Sequence, residues 1–286
     1  MVDRPIIIDG AMGTELIKLG IDCPLPIWSA DANLDYPHKV KEIHSNYINA
    51  GSSIITTNTF RSTTWTYRKS GYNKFKAKER AKSSFYSANY IAQKAKKNGI
   101  RVATSITSVD DCYSPDKFPG KMVAEDTYGE ILEWINDLNT DIILFETMGN
   151  LEEIKIGLKL SISIDIPIWL SVIMKDKDHL LDGSHIMKLV QSIPKDMVDC
   201  LLLNCNTIKI NLDAIDSLKN YWKKEWGTYP NLGKEDYGND YFDIINESKF
   251  DEAFKVMLKK NPYAIGVCCG SNPYHIVKIK NLIELS

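Results

Sequence analysis

Three cysteines are placed where they could share one metal ion. Cys268 and Cys269 are adjacent and follow the apolar run 263–267, and Cys205 follows the apolar run 201–203 after a single asparagine. Both runs stop abruptly at polar residues, as strands do at the edge of a parallel sheet. If the two strands are neighbours in a barrel, three thiolates converge at one rim and form a ligand set for zinc with the fourth position open.

The spacing alone leaves three interpretations of these thiols. No C-x-x-C or H-E-x-x-H motif is present, so a metal site competes with buried structural cysteines and with a vicinal dithiol that responds to oxidation. A metal centre with three thiolates would suit an incoming thiol, which it would hold as a thiolate at neutral pH, ready for alkyl transfer. The remaining cysteines, which we expect to be ordinary small side chains, are Cys23, Cys112 and Cys200.

Strands able to carry these residues recur along the whole chain. Short apolar runs alternate with segments of helical periodicity, several of which end at glycine or asparagine. We predict strands at residues 6–9, 54–57, 101–105, 141–145, 168–172, 199–203, 225–229 and 263–267. We predict helices at residues 36–50, 74–97, 128–138, 151–161, 184–191, 212–222, 250–260 and 274–285. The long irregular link at 109–124 is a candidate active-site loop.

Eight strands alternating with eight helices in 286 residues predict a (β/α)8 TIM barrel, a single domain over residues 1–286. A doubly wound open sheet is the alternative. The barrel is favoured because polar residues follow the predicted strands, at the rim where barrels build their active sites. These residues are Asp9, Asn58, Glu146, Cys205, Asn231 and the Cys268–Cys269 pair.

Composition argues against several classes of partner. With 35 basic and 37 acidic residues the formal net charge is −2, so no global field attracts nucleic acid or anionic lipid. The basic segment 74–97 interleaves its charges with one apolar stripe, as a solvated helix does, and we expect no nucleic-acid partner. The sequence has neither a signal peptide nor a long apolar span, which predicts a cytoplasmic protein without membrane contact. Small molecules are the expected partners, and the sequence does not decide the oligomeric state.

A series of short motifs resembles the homocysteine S-methyltransferase family, which includes enzymes that use betaine or S-methylmethionine. The motifs run in order from residue 5 to about residue 285, and their most specific parts are Asn-Cys and Cys-Cys-Gly. They are Asp-Gly-Ala-Met-Gly-Thr-Glu-Leu at 9–16, Thr-Asn-Thr-Phe at 57–60, Phe-Glu-Thr at 145–147, Asn-Cys at 204–205, Tyr-Pro-Asn at 229–231 and Cys-Cys-Gly at 268–270, with Pro273 and His275. The resemblance implies an enzyme that moves a methyl group from a cationic donor to L-homocysteine and forms methionine.

The resemblance also implies roles for single residues. Cys205, Cys268 and Cys269 would hold a zinc ion, with the homocysteine sulfur as fourth ligand. Asn231 would fill the fourth position when no thiol is bound. The groups that would hold the ammonium and carboxylate of homocysteine are Asp9, Glu146 and the backbone around Gly10, Ala11 and Met12, with Thr57 nearby.

The methyl donor must carry a sulfonium or a quaternary ammonium, and aromatic faces bind such cations. Trp28 matches a family position near the donor, and Phe60, Tyr113 and Phe118 are further candidates. Two residues depart from the family pattern. Val267 stands where the family has glycine before the paired cysteines, and Arg61 stands where betaine enzymes carry an aromatic residue. The second departure favours a sulfonium donor over betaine. S-methylmethionine or a similar sulfonium is the expected donor, although the sequence does not decide among S-methylmethionine, S-adenosylmethionine, dimethylsulfoniopropionate and betaine.

Two other functions are compatible with a barrel of this kind. One is a non-catalytic protein that senses redox state through zinc or the vicinal Cys268–Cys269 dithiol. The other is an aldolase-like enzyme, which would require a lysine at a strand end. Lys175 is the candidate nearest to such a position.

Overall fold

The protein folds as a closed barrel of eight parallel strands. The computed structural model describes residues 4–234 and 241–285. The strands are β1 (Ile6–Ile7), β2 (Ile54–Thr56), β3 (Arg101–Ile106), β4 (Ile142–Met148), β5 (Ile168–Val172), β6 (Cys200–Asn204), β7 (Glu225–Tyr229) and β8 (Ala264–Ile265). They pair in parallel in the order β1-β8-β7-β6-β5-β4-β3-β2. A parallel bridge between Ile8 and Ile54 joins β1 to β2 and closes the ring.

Helices cover the outside of the barrel and connect successive strands. They are α1 (Met12–Lys18), α2 (Ala32–Asp35), α3 (Pro37–Ala50), α4 (Thr64–Lys69), α5 (Lys74–Ala95), α6 (Lys121–Asn136), α7 (Leu151–Leu160), α8 (Ile186–Ser192), α9 (Ile208–Tyr221), α10 (Glu247–Lys259) and α11 (Pro273–Glu284). Among the described residues, no helix is both long enough and apolar enough to cross a membrane.

Successive side chains along each strand point to opposite faces of the sheet. The core is therefore divided into two parts, one inside the barrel and one between the barrel and the helices. In β6, Cys200 and Leu202 pack inside the barrel, whereas Leu201 and Leu203 pack against the surrounding helices. Each fully buried leucine contributes about 1.5–3 kcal/mol to folding, which explains why the strands are apolar on both faces. Cys200 is therefore a core residue, as predicted.

The structure confirms the predicted barrel, and the open sheet is wrong. Three short helices, α1, α2 and α4, were not predicted, because segments of 4 to 7 residues carry too little periodicity to recognise. Helix α6 begins at Lys121, so the link predicted at 109–124 is shorter than expected. The first turn of α6 is largely exposed. The apolar stripe of this helix can therefore be recognised in the sequence only after the first turn.

Candidate functional site

A cavity of about 340 Å³ opens at the carboxyl ends of the strands. Its walls come from the ends of β4 and β7, from segments that follow β1, β2, β6, β7 and β8, and from the loop after β3. The lining includes most residues that the sequence singled out: Asp9, Gly10, Ala11, Met12, Trp28, Thr57, Glu146, Cys205, Cys268 and Cys269. Residues far apart in the chain thus share one space.

Three thiols converge on one wall of this cavity. The sulfur of Cys205 lies 2.7 Å from that of Cys268 and 3.7 Å from that of Cys269, and the Cys268 and Cys269 sulfurs are 4.0 Å apart. A tetrahedral zinc site with bonds of about 2.3 Å separates its sulfurs by about 3.8 Å. Two of the three separations match that value, and the third must widen by about 1 Å. The donor set fits a soft metal ion such as zinc, with one side facing the cavity.

One of these thiols is prepared for ionisation. Hydrogen bonds from the Cys205 and Cys268 thiols hold the pKa of Cys269 well below its usual range. Interactions with Cys205 and Cys269 raise the pKa of Cys268 in turn. The cluster therefore favours a single thiolate when no cation is bound. Binding of a metal ion would cause the other two thiols to lose their protons as well.

Backbone geometry turns the cysteines toward one another. Cys205 adopts a left-handed conformation with φ of 58°, which turns the chain sharply where β6 ends. Gly266 is required because a Cβ there would lie 2.9 Å from the Ile8 carbonyl oxygen. Val267 has no such restriction: its side chain is buried in the core, and the paired cysteines after it still reach the cluster.

Two carboxyl groups, that of the buried Asp9 and that of the partly buried Glu146, lie in the same cavity as the thiols. Asp9 follows β1 and accepts a hydrogen bond from the Thr56 amide at 2.9 Å. Burial raises its pKa to about 8. Glu146, in β4, accepts hydrogen bonds from the hydroxyls of Ser105 and Tyr229, and burial raises its pKa to about 7. Both groups would ionise readily beside a bound cation, so together they form a candidate ammonium site.

A tight turn at Gly10 to Met12 forms another side of the cavity. The amide of Ala11 donates to the Ser271 hydroxyl at 3.0 Å, and its carbonyl accepts from the Tyr47 hydroxyl at 3.0 Å. A Cβ on Gly10 would lie 2.8 Å from the Tyr47 ring, so only glycine fits there. Helix α1 begins at Met12, and its first amides have no partner within the helix. They are suited to a carboxylate.

A family model described as homocysteine S-methyltransferase matches residues 6–283. The chain belongs to the homocysteine S-methyltransferase family. It is similar to Homocysteine S-methyltransferase 2 of Zea mays, with 24% identity over 98% of this chain and 90% of that protein. It is also similar to the homocysteine S-methyltransferase of Escherichia coli, with 22% identity over 96% of this chain and 94% of that protein.

Among solved structures, the metallated form of the homocysteine methyltransferase MmuM from Escherichia coli superposes with a TM-score of 0.83. The match covers 98% of this chain and 96% of that one at 21% sequence identity, and it shows that the two proteins share a fold. The cavity of this homocysteine S-methyltransferase family member thus lies in a barrel of known type.

Asn204, to which the sequence analysis assigned no role of its own, connects the Glu146 side of the cavity to the thiols. Asn204 precedes Cys205, and its side chain accepts from the Thr147 amide at 3.1 Å and donates to the Thr147 hydroxyl at 2.8 Å. Thr147 follows Glu146 and has a φ of 59°, a conformation that a β-branched residue rarely adopts. Asn204 therefore holds the turn that positions Glu146. The sequence marked this residue as the polar end of an apolar run and as part of the Asn-Cys motif at 204–205.

Aromatic side chains complete the wall away from the acids. Trp28 packs against Gly13, and its ring lies 5.4 Å from the ring of Tyr241. Phe60 and Tyr113 also line the cavity, and the Tyr113 hydroxyl lies 3.1 Å from the Cys205 sulfur. Tyr241 was missed because it stands in a polar stretch without periodicity.

Several candidate residues do not reach the cavity. The Asn231 side chain accepts a hydrogen bond from the Gly233 amide at 2.7 Å, and Asn231 is not among the residues that line the cavity. Phe118 borders a separate, small recess. Lys175 is exposed and also outside the lining, so the structure gives no support to an aldolase-like lysine. His275 caps α11 by accepting a hydrogen bond from the Asn272 amide.

Proposed function

We propose that this protein transfers a methyl group from a small cationic donor, most readily a sulfonium such as S-methylmethionine, to L-homocysteine, and forms methionine with the help of a bound zinc ion. The observation that carries the proposal is the meeting of three thiols and two carboxyl groups of raised pKa in one cavity. A thiol-binding centre and an ammonium site in the same cavity suit a short amino acid that bears a thiol.

Each part of homocysteine has a complementary group in the cavity. Asp9 and Glu146 would bind the ammonium, because the cation offsets the cost of ionising buried carboxyl groups. The backbone amides around Gly10, Ala11 and Met12 would bind the carboxylate, apart from the Ala11 amide, which donates to Ser271. These contacts direct the side chain toward Cys205, Cys268 and Cys269, which would hold the zinc ion. Zinc bound by three thiolates would lower the pKa of the incoming thiol, so that it reacts as a thiolate at neutral pH.

The protein's contribution to the reaction is mainly alignment. The homocysteine thiol would release its proton to solvent water, and its sulfur would form a bond to the donor methyl carbon. The bond between that carbon and the donor sulfur breaks, and its electron pair stays on the donor sulfur, which becomes a neutral thioether. Holding the two reactants in line removes much of the entropic barrier to their encounter. Trp28 and Tyr241 provide aromatic faces for the positive charge of the donor.

A metal analysis coupled to an activity assay tests this function. Protein purified under reducing conditions is expected to contain about one zinc ion per chain. It should form methionine from homocysteine when sulfonium donors are offered singly, and betaine should be the poorer donor. Folded protein that contains no zinc, and that remains inert after zinc is restored, would contradict the proposal and favour a dithiol sensor.

The contact between Gly13 and Trp28 predicts a donor-specific defect. A Cβ at position 13 would lie 2.6 Å from Cε2 of the Trp28 indole, so Gly13→Ala must displace the ring. We expect the KM for the donor to rise by about 10-fold or more, as a desolvated cation–π contact is lost. The dissociation constant of homocysteine should change by less than about 2-fold.

Gly129→Ala is the matched control for that substitution. Gly129 lies within α6, and a Cβ there meets nothing within 4 Å. Alanine should stabilise the helix by about 0.5–1 kcal/mol and leave the donor KM unchanged. An equal change in the KM of both substrates in Gly13→Ala would speak against donor binding at Trp28.

A further inference from the structure

Arg61 is a buried cation on the wall of the same cavity. It follows Phe60 in the segment after β2, is 9% exposed, and lines the cavity. Its guanidinium donates through Nη1 to the carbonyl oxygen of Asp110, and its Cζ lies 5.2 Å from the centre of the Phe60 ring. The side chain is thus fixed in place by one hydrogen bond and one aromatic contact.

No described carboxylate balances the charge of Arg61. Across residues 4–234 and 241–285, no carboxylate oxygen lies within 4 Å of its guanidinium nitrogens. The nearby acids already have basic partners. Lys69 contacts the Asp110 carboxylate at 2.7 Å, and Lys117 contacts Asp111 at 3.1 Å. A buried guanidinium that lacks an anion is costly, and its planar set of donors matches a carboxylate.

We propose that Arg61 binds the carboxylate of the methyl donor, so that the donor is a small zwitterion with a sulfonium at one end and a carboxylate at the other. This inference rests on the proposed function, because it assigns the homocysteine carboxylate to the turn at Gly10 to Met12. The carboxylate that remains for Arg61 then belongs to the second substrate.

Charge restricts the orientation of the donor. Arg61 repels a positive sulfur, so the sulfonium must point toward Trp28 and Tyr241 while the carboxylate points toward Arg61.

The test compares donors that differ only in the carboxylate. S-methylmethionine and dimethylsulfoniopropionate are each assayed beside their carboxamides, with the zinc-loaded wild type and with Arg61→Gln. Wild type should prefer the carboxylate in each pair by about 30-fold or more in kcat/KM. Arg61→Gln should lose that preference to within about 3-fold, mainly through the donor KM, and Arg61→Lys should recover part of it. The KM of homocysteine should stay the same.

Arg68→Gln is the matched control, because it removes the same charge from an exposed position on α4. It should keep the wild-type preference. If Arg61→Gln slows both members of each pair equally, Arg61 acts through its contact with Asp110 and the inference is overturned. If wild type uses the carboxamides as well as the carboxylates, the inference fails while the proposed function stands. If wild type uses no sulfonium, the proposed function fails with it.

Discussion

The Cys205→Ser variant should lose its zinc and about 1000-fold or more of kcat/KM for methyl transfer. Its thiol lies within 3.7 Å of both other cysteine sulfurs, so it completes the donor set. A serine hydroxyl remains protonated at neutral pH and is a poor zinc ligand. Elemental analysis of protein purified under reducing conditions, beside an assay of methionine formation, measures both losses.

The control for this prediction is Cys112→Ala. Cys112 is buried and lines the cavity but lies outside the cluster of three thiols, so that variant should keep one zinc per chain and most of its activity. Circular dichroism should show that both variants fold. Retention of zinc and of normal turnover by Cys205→Ser would refute the zinc site.

The barrel could be predicted from the sequence because its strands are buried on both faces. A strand such as β6 is apolar at successive residues, since Leu201 packs toward the helices and Leu202 toward the barrel interior. Such runs stop where the chain reaches the rim, and the stop at Asn204 and Cys205 indicated where the site is. The short helices α1, α2 and α4 could not be predicted, because tertiary packing rather than periodicity stabilises them.

The site itself was only partly visible in the sequence. Residues at strand ends, such as Asp9, Glu146 and Cys205, could be placed because the register of a parallel barrel brings strand ends together. The positions of loop residues in the site could not be predicted. Nothing in the sequence brings Tyr241 next to Trp28, and Asn231, which also follows a strand, directs its side chain to Gly233 instead of into the cavity.

The unbalanced charge of Arg61 could not be predicted from the sequence either. Asp110 and Asp111 lie in the loop beside Arg61. The sequence alone does not show which basic residue pairs with each of these carboxylates. Only the structure shows that Lys69 and Lys117 occupy those carboxylates. Charge pairing depends on side-chain geometry, which the pattern of residue types does not specify.

The Glu146→Gln variant is expected to bind homocysteine about 100-fold more weakly than wild type and yet to be more stable when ligand-free. The affinity falls because the ammonium loses a buried charged partner. The stability rises because burial raises the pKa of Glu146 from 4.5 to about 7. Calorimetric titration of the zinc-loaded protein measures the affinity, and thermal unfolding of the metal-free protein from pH 5 to 8 measures the stability.

The pH dependence of folding stability follows from the raised pKa of Glu146. The folded state binds the Glu146 proton more tightly than the unfolded state does, so the stabilisation from this proton is complete below pH 4.5 and is lost as the pH rises through about 7. Glutamine has no proton to lose. The stability advantage of Glu146→Gln should therefore grow from pH 5 to 8, and it reaches at most about 3 kcal/mol.

Glu153→Gln separates the two effects. Glu153 is also buried, and burial raises its pKa, but it accepts hydrogen bonds from the Val109 amide and the Tyr128 hydroxyl outside the cavity lining. Its substitution should leave homocysteine affinity unchanged. An advantage of Glu146→Gln that shrinks with rising pH would contradict the raised pKa of Glu146, and unchanged affinity for homocysteine would show that Glu146 is not the ammonium partner. If both predictions hold, Glu146 is a carboxyl group that lowers the stability of the ligand-free protein and strengthens the binding of homocysteine.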